Sequence, residues 1–233
     1  MQKLFAQILS NHYGVDGSKL LELMVNAGKT IPLQNRLVWF DGDSWYPEAN
    51  YSDPQTYGYY GISLLLKNKQ AFPEGNVLPI ADSAVAKISG ADTSDYVTAF
   101  DIVDSLRSYG NRALEILKEL RAEGKAPENN AEYTILLDDQ EAMAKLALYY
   151  AEKDNGALML RMYNDTSDTS YKDAAVESLT KALEYWKEYA ELFQKHYTDE
   201  LLSRVGWMRI STLEEQVAKD IEIAQNWKIR KIK

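Results

Sequence analysis

Cysteine is absent from the 233 residues, and histidine occurs only at positions 12 and 196. Without cysteine, a disulfide framework, thiolate catalysis and a cysteine-ligated metal site are all excluded. His12 and His196 lie far apart in the sequence, each beside a tyrosine, whereas a metal site normally needs more nitrogen or sulfur ligands. We therefore expect surface or capping roles for both histidines, no metal site and no cofactor.

Positive charge is also scarce, because 26 lysines and arginines stand against 35 aspartates and glutamates, for a formal net charge of −9. A protein that binds a nucleic-acid backbone needs clustered lysine and arginine, and the basic run here is the short tail Lys228–Lys233. No apolar run is long enough to cross a membrane. We expect neither a nucleic-acid partner nor a membrane span.

The first ten residues lack the apolar stretch and the small-residue cleavage site of a signal peptide. They open directly into a helical pattern. We therefore expect the chain to belong to a longer polypeptide, with any targeting signal outside these residues.

Apolar residues recur at helical spacing in each long apolar segment, and no alternating pattern persists. The sequence predicts an all-α fold, an antiparallel helical bundle with one long aromatic and acidic loop. We expect a single helical domain over 1–233, with short helices and the loop in 1–90 and a bundle of long helices in 91–233.

Two helices are predicted before the loop. The first ends near Gly14, and the second is capped by Asp16 or Ser18 and is kinked or restarted at Pro32. The run 37–40 is the one strand-like stretch. The inner faces of the two helices are predicted to contain Leu4, Phe5, Ile8 and Leu9, and then Leu20, Leu21, Met24, Ala27 and Ile31.

Brief helices are predicted at 62–67 and 82–88, and a long helix then starts at Thr93 or Ser94 and stops before Gly124 and Pro127. One face of the long helix is predicted to contain Tyr96, Phe100, Val103, Leu106, Ala113, Leu117 and Leu120.

Residues 132–163 are apolar on more than one face, which predicts a central helix buried between neighbours, interrupted at Asp154–Gly156. A turn at 164–170 leads to an amphipathic helix over 171–197. Its inner residues are Ala175, Leu179, Ala182, Trp186, Tyr189, Phe193 and Tyr197, and its predicted surface ion pairs are Glu177–Lys181, Lys187–Glu191 and Glu191–Lys195. Ser211–Glu214 reads as a capping box for a last helix that faces inward through Val217, Ile221, Ala224 and Trp227.

The segment 39–60 concentrates aromatic rings and carboxylates without a helical period. Exposed rings are costly in water, so these rings either anchor the loop to the helical body or form a platform for a ligand. Flat rings beside acidic acceptors suit a sugar. The predicted carbohydrate-binding residues are Trp39, Asp41, Asp43, Trp45, Tyr46, Glu48 and Tyr57.

Two other interpretations of this loop stay open. Paired carboxylates among Asp41, Asp43, Glu48 and Asp53 could serve glycoside hydrolysis, if their separation suited it. The start of a calcium loop is also suggested at Asp41, but Trp45 occupies a ligand position, and a tight turn explains the pattern better.

Four stretches of spaced aromatics carry a resemblance: Trp45–Ala49, Tyr185–Ala190, Arg204–Trp207 and Asp220–Trp227. Together they resemble the C-terminal helical region of large secreted bacterial proteins of the Bacteroidetes type, α-glucuronidases and related glycoside hydrolases. The resemblance runs from about Phe5 to Trp227. It implies an upstream barrel that carries the catalytic acids, and no catalytic residue in this chain.

The resemblance and the loop together predict a non-catalytic helical accessory domain of a secreted or periplasmic glycan-processing protein. Its expected partners are the upstream catalytic or carbohydrate-binding domains of the same polypeptide and an oligosaccharide. One alternative is a helical scaffold that binds another protein, which predicts exposed rings on helices. The other is a carboxylate-based hydrolase site in 41–53, which predicts an enclosed pocket with a raised carboxylate pKa.

Overall fold

A computed structural model describes residues 1–37, 61–67, 76–123, 130–202, 206–208 and 210–232. Within these residues the fold is all-α, as predicted. The helices are α1 (Gln2–Tyr13), α2 (Gly17–Ala27), α3 (Thr30–Leu37), α4 (Ile62–Leu65), α5 (Ile80–Ser89), α6 (Ala99–Ala122), α7 (Ala131–Thr166), α8 (Thr169–His196) and α9 (Glu214–Gln225), with a 3-10 turn at Ile210–Leu213. A two-stranded antiparallel ribbon joins β1 (Glu200–Leu202) to β2 (Gly206–Met208).

The longest helices, α6, α7 and α8, form an antiparallel layer. Ion pairs between α6 and α7 join Arg121 to Asp138 at one end and Arg107 to Glu152 further along. The same antiparallel order relates α7 to α8, where Lys145 pairs with Glu188. Helix α7 is buried nearly all round, which confirms that it is the central helix.

Two apolar cores lie on the central layer. The larger core gathers buried apolar residues of α4, α5, α8 and α9, of the N-terminal half of α6, and most of the buried apolar residues of α7. The smaller core packs α1 and α2 against the C-terminal half of α6 and the N-terminal half of α7. Helix α7 contributes to both cores, so it connects the two ends of the chain in one body.

Glycine permits a close contact between α7 and α8. A Cβ added at Gly156 would lie 2.7 Å from Cγ of Leu179, inside van der Waals distance. The predicted interruption of the helix at Asp154–Gly156 is wrong, because α7 runs through these residues without a break. Glycine at position 156 allows α7 to pack closely against α8.

Local signals placed several helix ends correctly. Gly14 takes a left-handed conformation with φ of 70° and closes α1. The side chain of Asp16 then caps α2 by accepting from the backbone N–H groups of Ser18 and Lys19. The amphipathic helix over 171–197 is confirmed as α8, with Trp186 fully buried.

Other predicted helix starts are wrong. Helix α6 begins five residues after Ser94, where Thr98 and Asp101 form a capping box, and Tyr96 lies exposed before the helix. The residues predicted as a capping box, 211–214, lie in the 3-10 turn and at the first residue of α9, so the last helix starts two residues later than the box predicts.

The N-terminal helices also differ from expectation. Helix α2 ends at Ala27, so Ile31 and Pro32 belong to the first turn of α3, where a proline costs no helical hydrogen bond. Leu37 ends α3 as a helical residue rather than starting a strand. Leu4, Phe5 and Ile8 are exposed, because α1 contacts α2 through the face near Ala6 and Ser10 instead.

The surface ion pairs of α8 were predicted in part. Glu177 and Lys181 do pair, with Oε1 and Nζ 2.7 Å apart. Lys187 reaches Glu214 beyond the helix instead of Glu191, and Lys195 reaches Asp138 on α7. Contacts with neighbouring elements therefore replace the two other predicted pairs within the helix.

Candidate functional site

The seven predicted carbohydrate-binding residues, Trp39, Asp41, Asp43, Trp45, Tyr46, Glu48 and Tyr57, lie outside the described residues. Asp53, considered for catalysis, does as well. The structure does describe both flanks of this segment. Helix α3 ends at Leu37 before it, and α4 begins at Ile62 after it. The candidate site is therefore built from the groups that hold these two flanks.

Both flanks attach to carboxylates buried in the bundle. The backbone N–H of Ile62 donates to Oδ1 of Asp220 on α9 across 2.7 Å. On the other flank, Nε2 of Gln34 donates to Oδ1 of Asp154 on α7 across 3.4 Å. Gln34, Asp154 and Asp220 are all buried. The described flanks on either side of the aromatic segment are thus held by polar groups inside the core.

Lys153 lies within this buried cluster and connects its parts. Its Nζ donates to the hydroxyl of Tyr149 across 3.1 Å and lies 3.7 Å from Oδ2 of Asp220. Burial lowers the pKa of Lys153, and the carboxylates of Asp220 and Asp154 oppose this shift. Asp154 responds in the opposite direction, because burial raises its pKa to about 7 against the smaller effects of Gln34 and Lys153.

A second carboxylate on α7 has different surroundings. Asp138 interacts with Arg121 on α6 and with Lys195 and His196 on α8, where Nε2 of His196 lies 2.7 Å from Oδ2. Burial alone would raise the pKa of Asp138, but the hydrogen bonds from Lys195 and His196 outweigh it and hold that pKa below its ordinary value. This cluster joins the ends of three helices.

An open groove of about 850 Å³ runs along α7 and α8 near this cluster. Its lysines are all paired: Lys145 with Glu188, Lys187 with Glu214, and Lys195 with Asp138. The remaining charged lining residues are acidic, Glu141 and Glu191. The lining of the groove therefore carries a small excess of negative charge and offers no excess of cations to an acidic ligand.

Metal and membrane sites are absent from the described part of the chain. No group of three or more histidine, cysteine, aspartate or glutamate side chains could hold a metal ion among the residues of known placement. None of the described helices is both long and apolar enough to span a bilayer.

The buried cluster of Gln34, Lys153, Asp154 and Asp220 was not predicted from the sequence. A signal for two of them was present, because Lys153 and Asp154 are charged residues in a segment apolar on more than one face. In a helix buried all round, such residues must be buried with it. Gln34 and Asp220 gave no comparable signal, since each could have faced water on its own helix.

Comparison with known proteins gives a likeness in fold. No family model and no curated protein matches this chain. Among solved structures, the chain is similar to a GH138 enzyme targeting pectin rhamnogalacturonan II, with a TM-score of 0.70 and 12% sequence identity. The similarity covers 96% of this chain and 34% of the enzyme.

The likeness shows a shared fold. The chain spans about a third of the length of that enzyme, and 12% identity carries no residue across from it. The comparison thus shows the fold alone, and it does not single out the α-glucuronidases that the spaced aromatics suggested.

Proposed function

We propose that this chain is a non-catalytic helical domain of a glycan-processing protein related to the glycoside hydrolases. The observation that carries the proposal is the fold shared over 96% of the chain with about a third of a glycoside hydrolase. A domain of that relative size suits an accessory role beside a catalytic domain in the same polypeptide. The α-glucuronidase relation, and a secreted or periplasmic location, belong to this proposal.

In this proposal, the segment 39–60 contributes to a carbohydrate-binding cleft. Its rings would cover sugar faces, and its carboxylates would accept hydrogen bonds from sugar hydroxyls. The support from the structure is that both flanks of the segment are fixed inside the core, at Gln34 and Ile62. Fixed flanks reduce the conformational freedom that a binding segment loses when it engages a ligand.

The experiment is calorimetric titration of the chain with pectin fragments and glucuronic-acid-bearing xylan fragments. Trp45→Ala and Tyr46→Ala are each expected to weaken binding about five- to thirtyfold, on the basis that stacking of one ring is worth on the order of 1–2 kcal/mol. Their melting temperatures should remain close to that of the unsubstituted chain. Tyr96→Ala is the matched control, because Tyr96 is an exposed ring on the helical body.

Absence of glycan binding by the unsubstituted chain, with strong destabilisation by both loop substitutions, would overturn the sugar platform and leave the loop as an anchor. Release of reducing sugar by the chain alone, abolished by Glu48→Gln, would instead support the catalytic alternative. Sequencing of the gene on both sides of this region tests the accessory role, which requires a catalytic domain in the same polypeptide.

A second candidate function, a scaffold that binds another protein, is favoured by the exposed face of α1. Leu4, Phe5 and Ile8 are 61%, 50% and 52% exposed there. The scaffold interpretation predicts exposed aromatic rings on helices, and Phe5 is such a ring. Under the accessory proposal, the same face would contact the catalytic domain. Phe5→Ser should then abolish association with that domain and leave glycan binding by the isolated chain unchanged.

A further inference from the structure

The buried pair formed by Asp154 and Gln34 has two oxygens without partners. Nε2 of Gln34 donates to Oδ1 of Asp154. Oε1 of Gln34 and Oδ2 of Asp154 have no hydrogen-bond partner within the described part of the molecule. Both side chains are almost completely buried, at 2% and 0% exposure. The two unsatisfied oxygens therefore belong to side chains that are already joined at their other ends.

An ionised Asp154 would make this arrangement unfavourable. Its second oxygen would carry part of a negative charge in the core without a donor, which is among the most costly states for a buried group. A neutral carboxylic acid resolves the conflict, because the proton on Oδ2 is a donor and Oε1 of an amide is an acceptor. A carboxylic acid and a primary amide match each other in this way through two hydrogen bonds.

We propose that Asp154 is protonated in the folded protein and donates from Oδ2 to Oε1 of Gln34, so that the pair forms a pH-sensitive latch holding α3 on α7. This inference is independent of the proposed function. It assigns a role to a buried carboxyl group that no other contact among the described residues explains.

The charges around the pair are consistent with a neutral acid. Lys153, the next residue on α7, is the charged group that acts on Asp154, and its Nζ is directed to Tyr149 and Asp220 of α9. The member of the pair that comes from α3, Gln34, is neutral, and α4 contains no titratable residue. The cations of α6 and α8 at this level, Arg107 and Lys181, pair with Glu152 and Glu177. Burial correspondingly raises the pKa of Asp154 to about 7.

The latch acts on the flank of the aromatic segment. Helix α3 has eight residues and ends at Leu37, three residues after Gln34. The hydroxyl of Thr30 lies 2.8 Å from the carbonyl oxygen of Ala27 and 3.0 Å from that of Met143, which places the start of α3 against α7. Ionisation of Asp154 would remove the hydrogen bond from Oδ2 and place a charge beside Gln34. The C-terminal half of α3 is then held less tightly, while its start remains attached.

The sign of the pH effect follows from the raised pKa. Between the ordinary aspartate value and about pH 7, the folded state binds a proton that the unfolded state has released. The stabilising contribution of the neutral pair is therefore complete at low pH, declines as pH rises through this window, and is lost above about pH 7. This is the reverse of the behaviour of an ion-paired carboxylate.

Chemical denaturation from pH 4.5 to 8.5 tests the latch against Asp154→Asn, which keeps an acceptor and a donor but does not titrate. The unfolding constant of the unsubstituted protein should rise relative to that of the variant by about tenfold per pH unit over 4.5–6.5, the slope for one linked proton. The relative slope should vanish above about pH 7. Asp173→Asn, at an exposed aspartate of α8, is the matched control and should leave the pH profile unchanged.

A direct measurement accompanies the denaturation series. The carboxyl carbon of Asp154, followed by NMR, should report a neutral acid at pH 5.5, and amide exchange in α3 should exceed its intrinsic increase with pH once Asp154 ionises. Parallel pH profiles for the unsubstituted protein and Asp154→Asn would overturn the proposal. So would an ionised Asp154 at pH 5.5, or stabilisation by added sodium or calcium that Asp154→Asn abolishes, since a cation between the two oxygens requires the ionised acid.

Discussion

Asp138 and Asp154 lie on the same helix and are buried to a similar degree, at 5% and 0% exposure, yet their pKa values shift in opposite directions. The cations Arg121 and Lys195, together with the ring nitrogen of His196, surround Asp138 and stabilise its charge. Asp154 hydrogen-bonds to an amide, and its charged form is disfavoured. Burial alone therefore does not decide the ionisation state of a carboxyl group in this protein.

The difference follows from where each residue lies along α7. Asp138 is near the ends of α6 and α8, so Arg121 and Lys195 can reach it while remaining 42% and 55% exposed. Long cationic side chains can keep part of their length in water in this way. Asp154 lies sixteen residues further along, about 24 Å at the helical rise. There, a cation from a neighbouring helix would have to be fully desolvated to reach it.

The largest expected effect comes from Trp186, which lies between the two carboxylates along α8. Its ring is fully buried, with its centroid 5.1 Å from that of Tyr149, the residue that binds Lys153. Trp186→Ala should lower the free energy of unfolding by about 3–5 kcal/mol through the lost burial and the cavity. Denaturant titration measures this, with exposed Glu184→Ala as the control. A loss below about 1 kcal/mol would show that the ring does not support the core between the two sites.

Asp138→Asn tests the ionised half of the comparison. It should cost about 2 kcal/mol at pH 7, because charge-assisted hydrogen bonds are lost but the cations Arg121 and Lys195 are partly solvated. Since the folded pKa of Asp138 is lowered, its contribution is present above the ordinary aspartate pKa and is lost as pH falls through the folded value. Stability curves of the two proteins from pH 2 to 7 should therefore converge at the acid end. A gap that is constant with pH would contradict the ion-paired assignment.

The smallest effect is expected at the exposed pair of Glu177 and Lys181. These residues lie one turn apart on α8, with both side chains more than half exposed. Lys181→Ala should change the free energy of unfolding by no more than about 0.5 kcal/mol, and less in high salt. Denaturation in 0.05 M and 1 M sodium chloride measures this. A larger cost that persists in salt would mean that this exposed pair stabilises the fold in the same way as the buried cluster at Asp138.

The fold was largely predictable because α8 and α7 carry strong periodic signals. The stripe containing Trp186 predicts a helix directly, and the all-round apolar pattern of 132–163 predicts its central position. Helix starts were less predictable, because short polar residues are common before helices. Thr98 forms its capping box with an aspartate at the third position, whereas Thr93 and Ser94 lie nearby without capping.

The candidate site was less predictable than the fold. Aromatic rings in 39–60 indicate a place for a ligand, but the polar groups that fix its flanks come from α3, α7 and α9. The contact between Gln34 and Asp154 joins residues 120 positions apart, and the contact between Ile62 and Asp220 joins residues 158 positions apart. Such pairings depend on how helices pack, and periodicity within one helix cannot indicate them.

The short connection between α7 and α8 has a consequence for the order of folding. Ser167 and Asp168 separate the two helices, with Ser167 in the left-handed conformation and Asp168 capping α8. Closing so short a loop costs little chain entropy. Contacts between α7 and α8 then join residues that are further apart in the sequence the further they lie from the loop. The α7–α8 hairpin can therefore assemble from one continuous stretch of chain. Helices α1 and α2 depend on it, because the surface on which they pack includes α7 itself.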